Sequence, residues 1–168
     1  NGVAVLSRTK PELVRAGLDD GGDPDESRLL HVVVNGIAII NTYIPQGFEI
    51  NSPKYAYKLE WLKRLRAYFE KNLSPSLPAI WCGDMNVAPR AMEVHSPEKH
   101  LKHVCYHETA REAYASTVAW GFYDVFVRLY PERQQFTFWD YRAPSSLDAN
   151  KGWRIDHMLA TASLADSC

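Results

Sequence analysis

The sequence predicts an α/β protein built on a mixed sheet. Three observations carry this: short β-rich runs alternate with longer amphipathic ones, the dipeptide Asn35-Gly36 separates two β-rich runs, and residues 54–73 repeat apolar side chains at helical spacing. Residues 2–7, containing Val3-Ala4-Val5-Leu6, read as a buried strand. Residues 17–27 are an acidic, Gly-rich loop. Residues 28–34 and 37–43 read as a hairpin, because both positions of a two-residue turn need positive φ and Asn-Gly supplies them. In 54–73, Leu59, Leu62, Leu65, Phe69 and Leu73 mark the buried face; Lys58, Lys63, Arg64 and Lys71 fall on other faces, and Ser74-Pro75-Ser76 stops the helix. Residues 78–83 are a short buried strand. Residues 109–120 form a second helix, with Thr109 as N-cap, Glu112 as its capping-box partner and Gly121 as C-cap. Residues 122–129, 135–141 and 153–160 are mostly strands.

With 168 residues, 46% of them apolar, the chain can bury a core without disulfide staples. Nineteen Lys and Arg against twenty Asp and Glu give a formal charge of -1, which excludes a polybasic coat protein and still permits a local basic groove. No apolar run approaches the ~18 residues of a membrane span, so no membrane partner is expected. Cys82, Cys105 and Cys168 form no CxxC pair, and a reducing cytosol is the expected compartment. The chain opens at Asn1 without a Met, directly on a strand-like run, which reads as part of a longer sequence.

Five constellations could carry chemistry. In Gly83-Asp84-Met85-Asn86, positions i and i+2 of an extended chain share a side, so a carboxylate and an amide project together; this suits water activation, or equally an Asx turn leaving a strand. In Arg154-Ile155-Asp156-His157, Asp156 is a carboxylate among apolar neighbours, and a salt bridge to an Arg is the bland alternative. Tyr43 and Gln46 sit where a strand ends, a place suited to phosphate oxygens or simply to an aromatic strand end. Phe138-Trp139-Asp140-Tyr141-Arg142 with Trp153 could stack on a sugar or base, or be plain core. His95, His100, His103 and His107, with Cys105, raise the idea of zinc, but Pro97 and the polar composition favour a loop.

Together these motifs resemble the exonuclease III family of DNA repair nucleases, within the endonuclease/exonuclease/phosphatase superfamily. The resemblance runs in order through Asn1-Gly2-Val3-Ala4, Tyr43-Ile44-Pro45-Gln46-Gly47, Gly83-Asp84-Met85-Asn86, Phe138-Trp139-Asp140-Tyr141-Arg142 and Gly152-Trp153-Arg154-Ile155-Asp156-His157. It implies a four-layer α/β sandwich of two mixed sheets packed face to face with outer helices, here as one incomplete domain over 1–168. It implies Mg²⁺- or Mn²⁺-dependent hydrolysis of DNA phosphodiesters at abasic sites and from 3′ ends. Asp84 would activate the attacking water and Asn86 orient it, both as candidate metal ligands. Tyr43 would hold the scissile phosphate, and Asp156 would orient a catalytic histidine. Gln46 would contact the DNA backbone. Phe138, Trp153 and Ile155 would line a pocket for an extruded abasic sugar, flanked by Trp139.

The resemblance places the family's metal-ligating Glu on strands before Asn1, and its Asp-His segment after Cys168. His157 does not replace the missing histidine. The reading is therefore a monomeric, cytosolic DNA repair nuclease, bacterial or archaeal, acting on double-stranded DNA with abasic sites or 3′ ends, of which this chain alone is weak or inactive. The alternatives are another phosphodiesterase or phosphatase of the superfamily, or a non-catalytic DNA-binding remnant.

Overall fold

A computed structural model describes residues 2–22 and 27–168. In chain order the elements are β1 (Leu13–Ala16), β2 (Leu29–Val34), β3 (Ile37–Tyr43), α1 (Pro53–Asn72), β4 (Ala79–Asp84), α2 (Glu108–Val118), β5 (Phe122–Asp124), α3 (Val125–Leu129), β6 (Phe138–Trp139), β7 (Gly152–Trp153), β8 (Asp156–Thr161) and α4 (Ala162–Ala165). Six strands form one mixed sheet in the order β1-β2-β3-β4-β8-β5. Only β3 and β4 pair in parallel, joined through α1. The second sheet is the two-stranded antiparallel ribbon β6-β7.

Local chemistry sets these elements. Asn35 (φ 51°) and Gly36 (φ 73°) make the two-residue turn that joins β2 to β3. Helix α1 begins at Ser52, whose Oγ accepts from the Tyr55 N–H at 3.1 Å, with Pro53 in the first turn. Its inner face meets the sheet in an aromatic cluster. Phe69 lies 5.3 Å from Trp81, 5.6 Å from Trp120 and 5.2 Å from Phe122, ring centre to ring centre. Such offset and edge-on contacts are the favoured aromatic geometries.

Several expectations are corrected. Residues 2–7 are not a buried strand; no ladder partner lies beside them among the described residues, Leu6 is exposed, and Ala4 O is held only by the Asn41 side chain at 2.9 Å. Strand β1 was not expected at all. Of the expected 17–27 loop, residues 23–26 lie outside the described residues, and Asp20 in the remainder grips Arg64 at 2.7 Å. Helix α2 starts one residue early, capped by His107, which accepts the Thr109 N–H; the Thr109 hydroxyl instead meets Tyr55 Oη at 2.9 Å. Residues 125–129 are helical, because Asp124 Oδ1 accepts the Val127 N–H and caps a turn there. Lys58, expected on a polar face, is fully buried. Tyr55, Lys58, Leu62, Leu65 and Phe69 share the inward stripe.

Gly83 marks the closest backbone approach. Its φ is +127°, and a Cβ there would strike the Thr42 carbonyl oxygen and come within 2.8 Å of Asn41 Oδ1. Gly83→Ala is expected to destabilise the fold by more than about 2 kcal/mol, measured by urea denaturation.

Candidate active site

Three neighbouring strands bring their polar ends into one row. Tyr43 closes β3, Asp84 closes β4, and Asp156 opens β8. Tyr43 is in register with Asp84, and Asp84 with Asp156. After Asp84 the chain turns sharply. Asn86 takes φ 48°, and its N–H donates to Asp84 Oδ1 at 2.9 Å. An Asx turn forms at Gly83-Asp84-Met85-Asn86, and it brings the carboxylate and the amide together. Alternation along an extended strand is not the cause.

The Asn86 amide has a fixed orientation. Its Nδ2 donates to Ile44 O at 2.9 Å, and a carbonyl can only accept, so Oδ1 is the end left over; its nearest partner is the Cys105 thiol at 3.8 Å. The Gln46 amide is fixed in the same way. Its Oε1 accepts the Phe48 N–H at 2.7 Å, which leaves Nε2 as a donor.

These loops are tied together by Lys58. Its Nζ donates to Asn86 O (2.7 Å), Val104 O (2.8 Å) and Gln46 O (3.2 Å). Burial lowers the Lys58 ammonium to about 8, with Cys105 and Asp84 opposing the shift. Three carbonyls thus replace the water that the ammonium loses.

A second buried network aims the aromatic wall. Arg154 is buried and donates through Nη1 to Glu93 Oε1 (2.6 Å) and through Nη2 to both Asp124 oxygens (2.8 and 2.7 Å). With Arg154 turned inward, its neighbours Trp153 and Ile155 face the cleft. Asp156 is not the partner of this arginine, and it forms no ion pair among the described residues. His157 is also turned in, bonded to Val87 O at 2.8 Å and close to Asp124 at 3.3 Å.

The result is a cleft of about 560 Å³ lined by Tyr43, Gln46, Phe48, Asp84, Asn86, His103, Cys105, Phe138, Asp140, Arg142, Trp153 and Ile155. Seven of the nine residues to which the resemblance gives roles line it. Asp156 stands beside it on the strand next to Asp84. Trp139 lies outside the lining, with its indole N–H on Asn150 Oδ1 at 3.2 Å. Phe48, His103 and Cys105 had no distinguishing sequence signal as cleft residues. Lys58 had one: it falls three residues after Tyr55 and four before Leu62, on the buried stripe.

Burial raises the Asp84 carboxyl to about 6, and the charge of Asp156 adds to the rise, while the Asn86 N–H, Lys58 and His157 oppose it. A carboxylate so placed favours a nearby cation. Asp84, Asn86 Oδ1 and Asp156 are hard oxygen donors of the kind Mg²⁺ or Mn²⁺ takes. They supply one side of such a site and do not complete it, since no group of three or more His, Cys, Asp or Glu able to hold a metal occurs among the described residues.

A model of the endonuclease/exonuclease/phosphatase family matches residues 1–168. The chain belongs to that family. An AP endonuclease structure from Archaeoglobus fulgidus is similar with a TM-score of 0.90 and 48% identity, over 94% of this chain and 61% of that one. A structure of a 3′ phosphatase from Neisseria bound to a product DNA hairpin gives a TM-score of 0.87 and 28% identity, over 95% of this chain and 62% of that one. A DNA-(apurinic or apyrimidinic site) endonuclease of Dictyostelium discoideum is 29% identical over 99% of this chain and 46% of its own length. The chain spans 23% to 67% of the curated relatives given by these comparisons. The mixed α/β fold with a large and a small sheet agrees with the family's fold.

Two outcomes follow for the networks behind this family's cleft. Lys58→Met, close in size but without a donor, is expected to cost about 3 kcal/mol in denaturant titration, because three carbonyls lose a charged donor. For Asp124, burial alone would raise the carboxyl, but His157 and Arg154 hold it down to about 2. A folded value below the ordinary 3.8 means stability that is fully present above about pH 4 and lost as pH falls towards 2. Asp124→Asn is expected to lower stability by about 3 kcal/mol at pH 6. The gap between the melting temperatures of parent and variant should close between pH 4 and pH 2.

Proposed function

We propose that this chain carries the central and later part of a DNA repair nuclease that hydrolyses phosphodiesters at abasic sites and removes nucleotides from 3′ ends. The observation that carries the reading is the juxtaposition in one cleft. A half-buried carboxylate and a fixed amide oxygen share its lining with the apolar side chains of Phe138, Trp153 and Ile155. The names of the relatives support it: an AP endonuclease, a 3′ phosphatase seen with DNA, and exodeoxyribonucleases.

The chain's own groups can then be given roles. An attacking water donates one hydrogen to the Asp84 carboxylate, the general base, and the other to Asn86 Oδ1. This leaves a lone pair of the water directed at phosphorus. The Tyr43 hydroxyl and Gln46 Nε2 donate to phosphate oxygens, where negative charge grows during attack. The apolar wall admits a sugar without its base, and extrusion costs least where no base is stacked or paired. Mg²⁺ or Mn²⁺ is the proposed cofactor, held in part by Asp84 and Asn86; when bound it would neutralise phosphate charge and stabilise the departing oxygen. Asp156 lies where it can orient a further group at the end of the row. The remaining donors would come from segments outside these residues, so the isolated chain is proposed to be a slow enzyme. Its substrate is double-stranded DNA, its proposed state a monomer, and its proposed place the cytosol.

The test is incision of a labelled duplex carrying one abasic analogue, with Mg²⁺ or with EDTA, beside a binding assay on the same duplex. Asp84→Asn is expected to reduce Mg²⁺-dependent incision by at least about 10²-fold. Trp153→Ala should remove the preference for the abasic over the intact duplex while leaving salt-sensitive binding in place. Equal affinity of the parent chain for both duplexes, or hydrolysis of a phospholipid in place of DNA, would overturn the proposal.

A further inference from the structure

Along the cleft wall, three imidazoles gather round Trp153. The ring centres of His95, His100 and His103 lie 5.7, 4.9 and 4.3 Å from that of the indole. His95 and His100 bracket a single 3-10 turn, Pro97–Lys99, which folds the chain back on itself. Their Nε2 atoms are 3.1 Å apart. We propose that His95 and His100 form a two-nitrogen chelate for a transition-metal dication of the Zn²⁺, Ni²⁺ and Cu²⁺ class.

Three features of the pair point there. First, the His95 Nδ1 atom faces Gly152 O at 3.2 Å. A carbonyl oxygen only accepts, so Nδ1 carries the proton and Nε2 carries the lone pair. A backbone carbonyl behind the distal nitrogen is the usual support of a metal-bound imidazole. Second, two nitrogens each about 2.0–2.1 Å from one ion, at an angle between square and tetrahedral, lie about 2.8–3.4 Å apart. The observed separation falls in that span. Third, the ring centres are 4.6 Å apart and the ring planes meet at 61°. The two rings therefore fold towards each other instead of lying end to end, as a straight N–H···N bond would require. Without the ion, the His100 Nε2 proton occupies the gap and bonds to the His95 lone pair. On binding, the ion replaces that proton, which moves through solvent to His100 Nδ1, and no net proton is lost.

Imidazole pairs select Zn²⁺, Ni²⁺ and Cu²⁺, whereas the oxygen donors at Asp84 suit Mg²⁺ and Mn²⁺. The two sites therefore differ in the metals they take. With no third His, Cys, Asp or Glu among the described residues to close the shell, solvent completes it and the ion exchanges readily. An ion there would pin the two histidines against Trp153 and stiffen one wall of the cleft. The site does not depend on the reaction proposed above.

The test is a titration of the 168-residue chain with Ni²⁺ in excess Mg²⁺, followed by tryptophan fluorescence, with electron paramagnetic resonance of the Cu²⁺ complex as a second measurement. The expected result is saturable quenching at one ion per chain. Each of His95→Gln and His100→Gln should weaken it by at least about tenfold, while Asp84→Asn leaves it unchanged. The Cu²⁺ spectrum should show two nitrogen ligands. No saturable quenching in the parent chain would overturn the proposal. So would quenching that neither histidine substitution alters, an equal loss in Asp84→Asn, or a Cu²⁺ spectrum with fewer than two nitrogens. That last measurement needs no variant to fold.

Discussion

The cleft depends on one buried cation. Lys58 enters the core with no carboxylate bonded to its ammonium among the described residues, and its charge is met by three backbone carbonyls from three separate loops. An ammonium stripped of water is costly unless its donors are satisfied. The three loops must therefore close on Lys58 together or the burial is unfavourable. Those loops carry Gln46, Asn86 and the segment of His103 and Cys105, which face the same space. One helix residue thus converts the packing of α1 into the spacing of the cleft's polar end.

The aromatic end follows a similar logic with opposite polarity. Arg154 is anchored inward between two acids, and the residues on either side of it are forced out. Trp153 and Ile155 are themselves largely buried, and the ionic anchor at the residue between them sets the small part of each that faces the cleft. The site joins a face that attracts cations and binds water to a face that excludes water, within one cleft.

Much of this was legible in the sequence where a local rule had no competitor. Asn35-Gly36 specified its turn, and the apolar spacing located α1. The motif positions gathered as expected because three strand ends fall in register, a consequence of pairing that short motifs report only indirectly. The failures share a cause. Residues 2–7 are apolar enough for a strand, but a strand also needs a neighbour, which no local pattern reveals. Thr109 is a good N-cap residue whose hydroxyl was taken by Tyr55, far away in sequence. Lys58 was assigned by charge, although its position on the stripe spoke for burial. The Arg-carboxylate pair was foreseen in kind, but the acids are Glu93 and Asp124 rather than Asp156, since residues 154 and 155 lie between β7 and β8, where strand alternation no longer puts i and i+2 on one side.

The row Tyr43-Asp84-Asp156 also has a history in time. Its last member lies 72 positions after its second in the chain, and the two meet only when β8 docks antiparallel to β4. Closing so long a loop is slow compared with forming the β2-β3 hairpin or α1. During synthesis the earlier strands and α1 can form while the acidic row is still incomplete. A nascent chain would therefore carry the cleft's first half without its last carboxylate until β8 clears the ribosome. Long-range pairing acts here as a delay on the assembly of reactive groups.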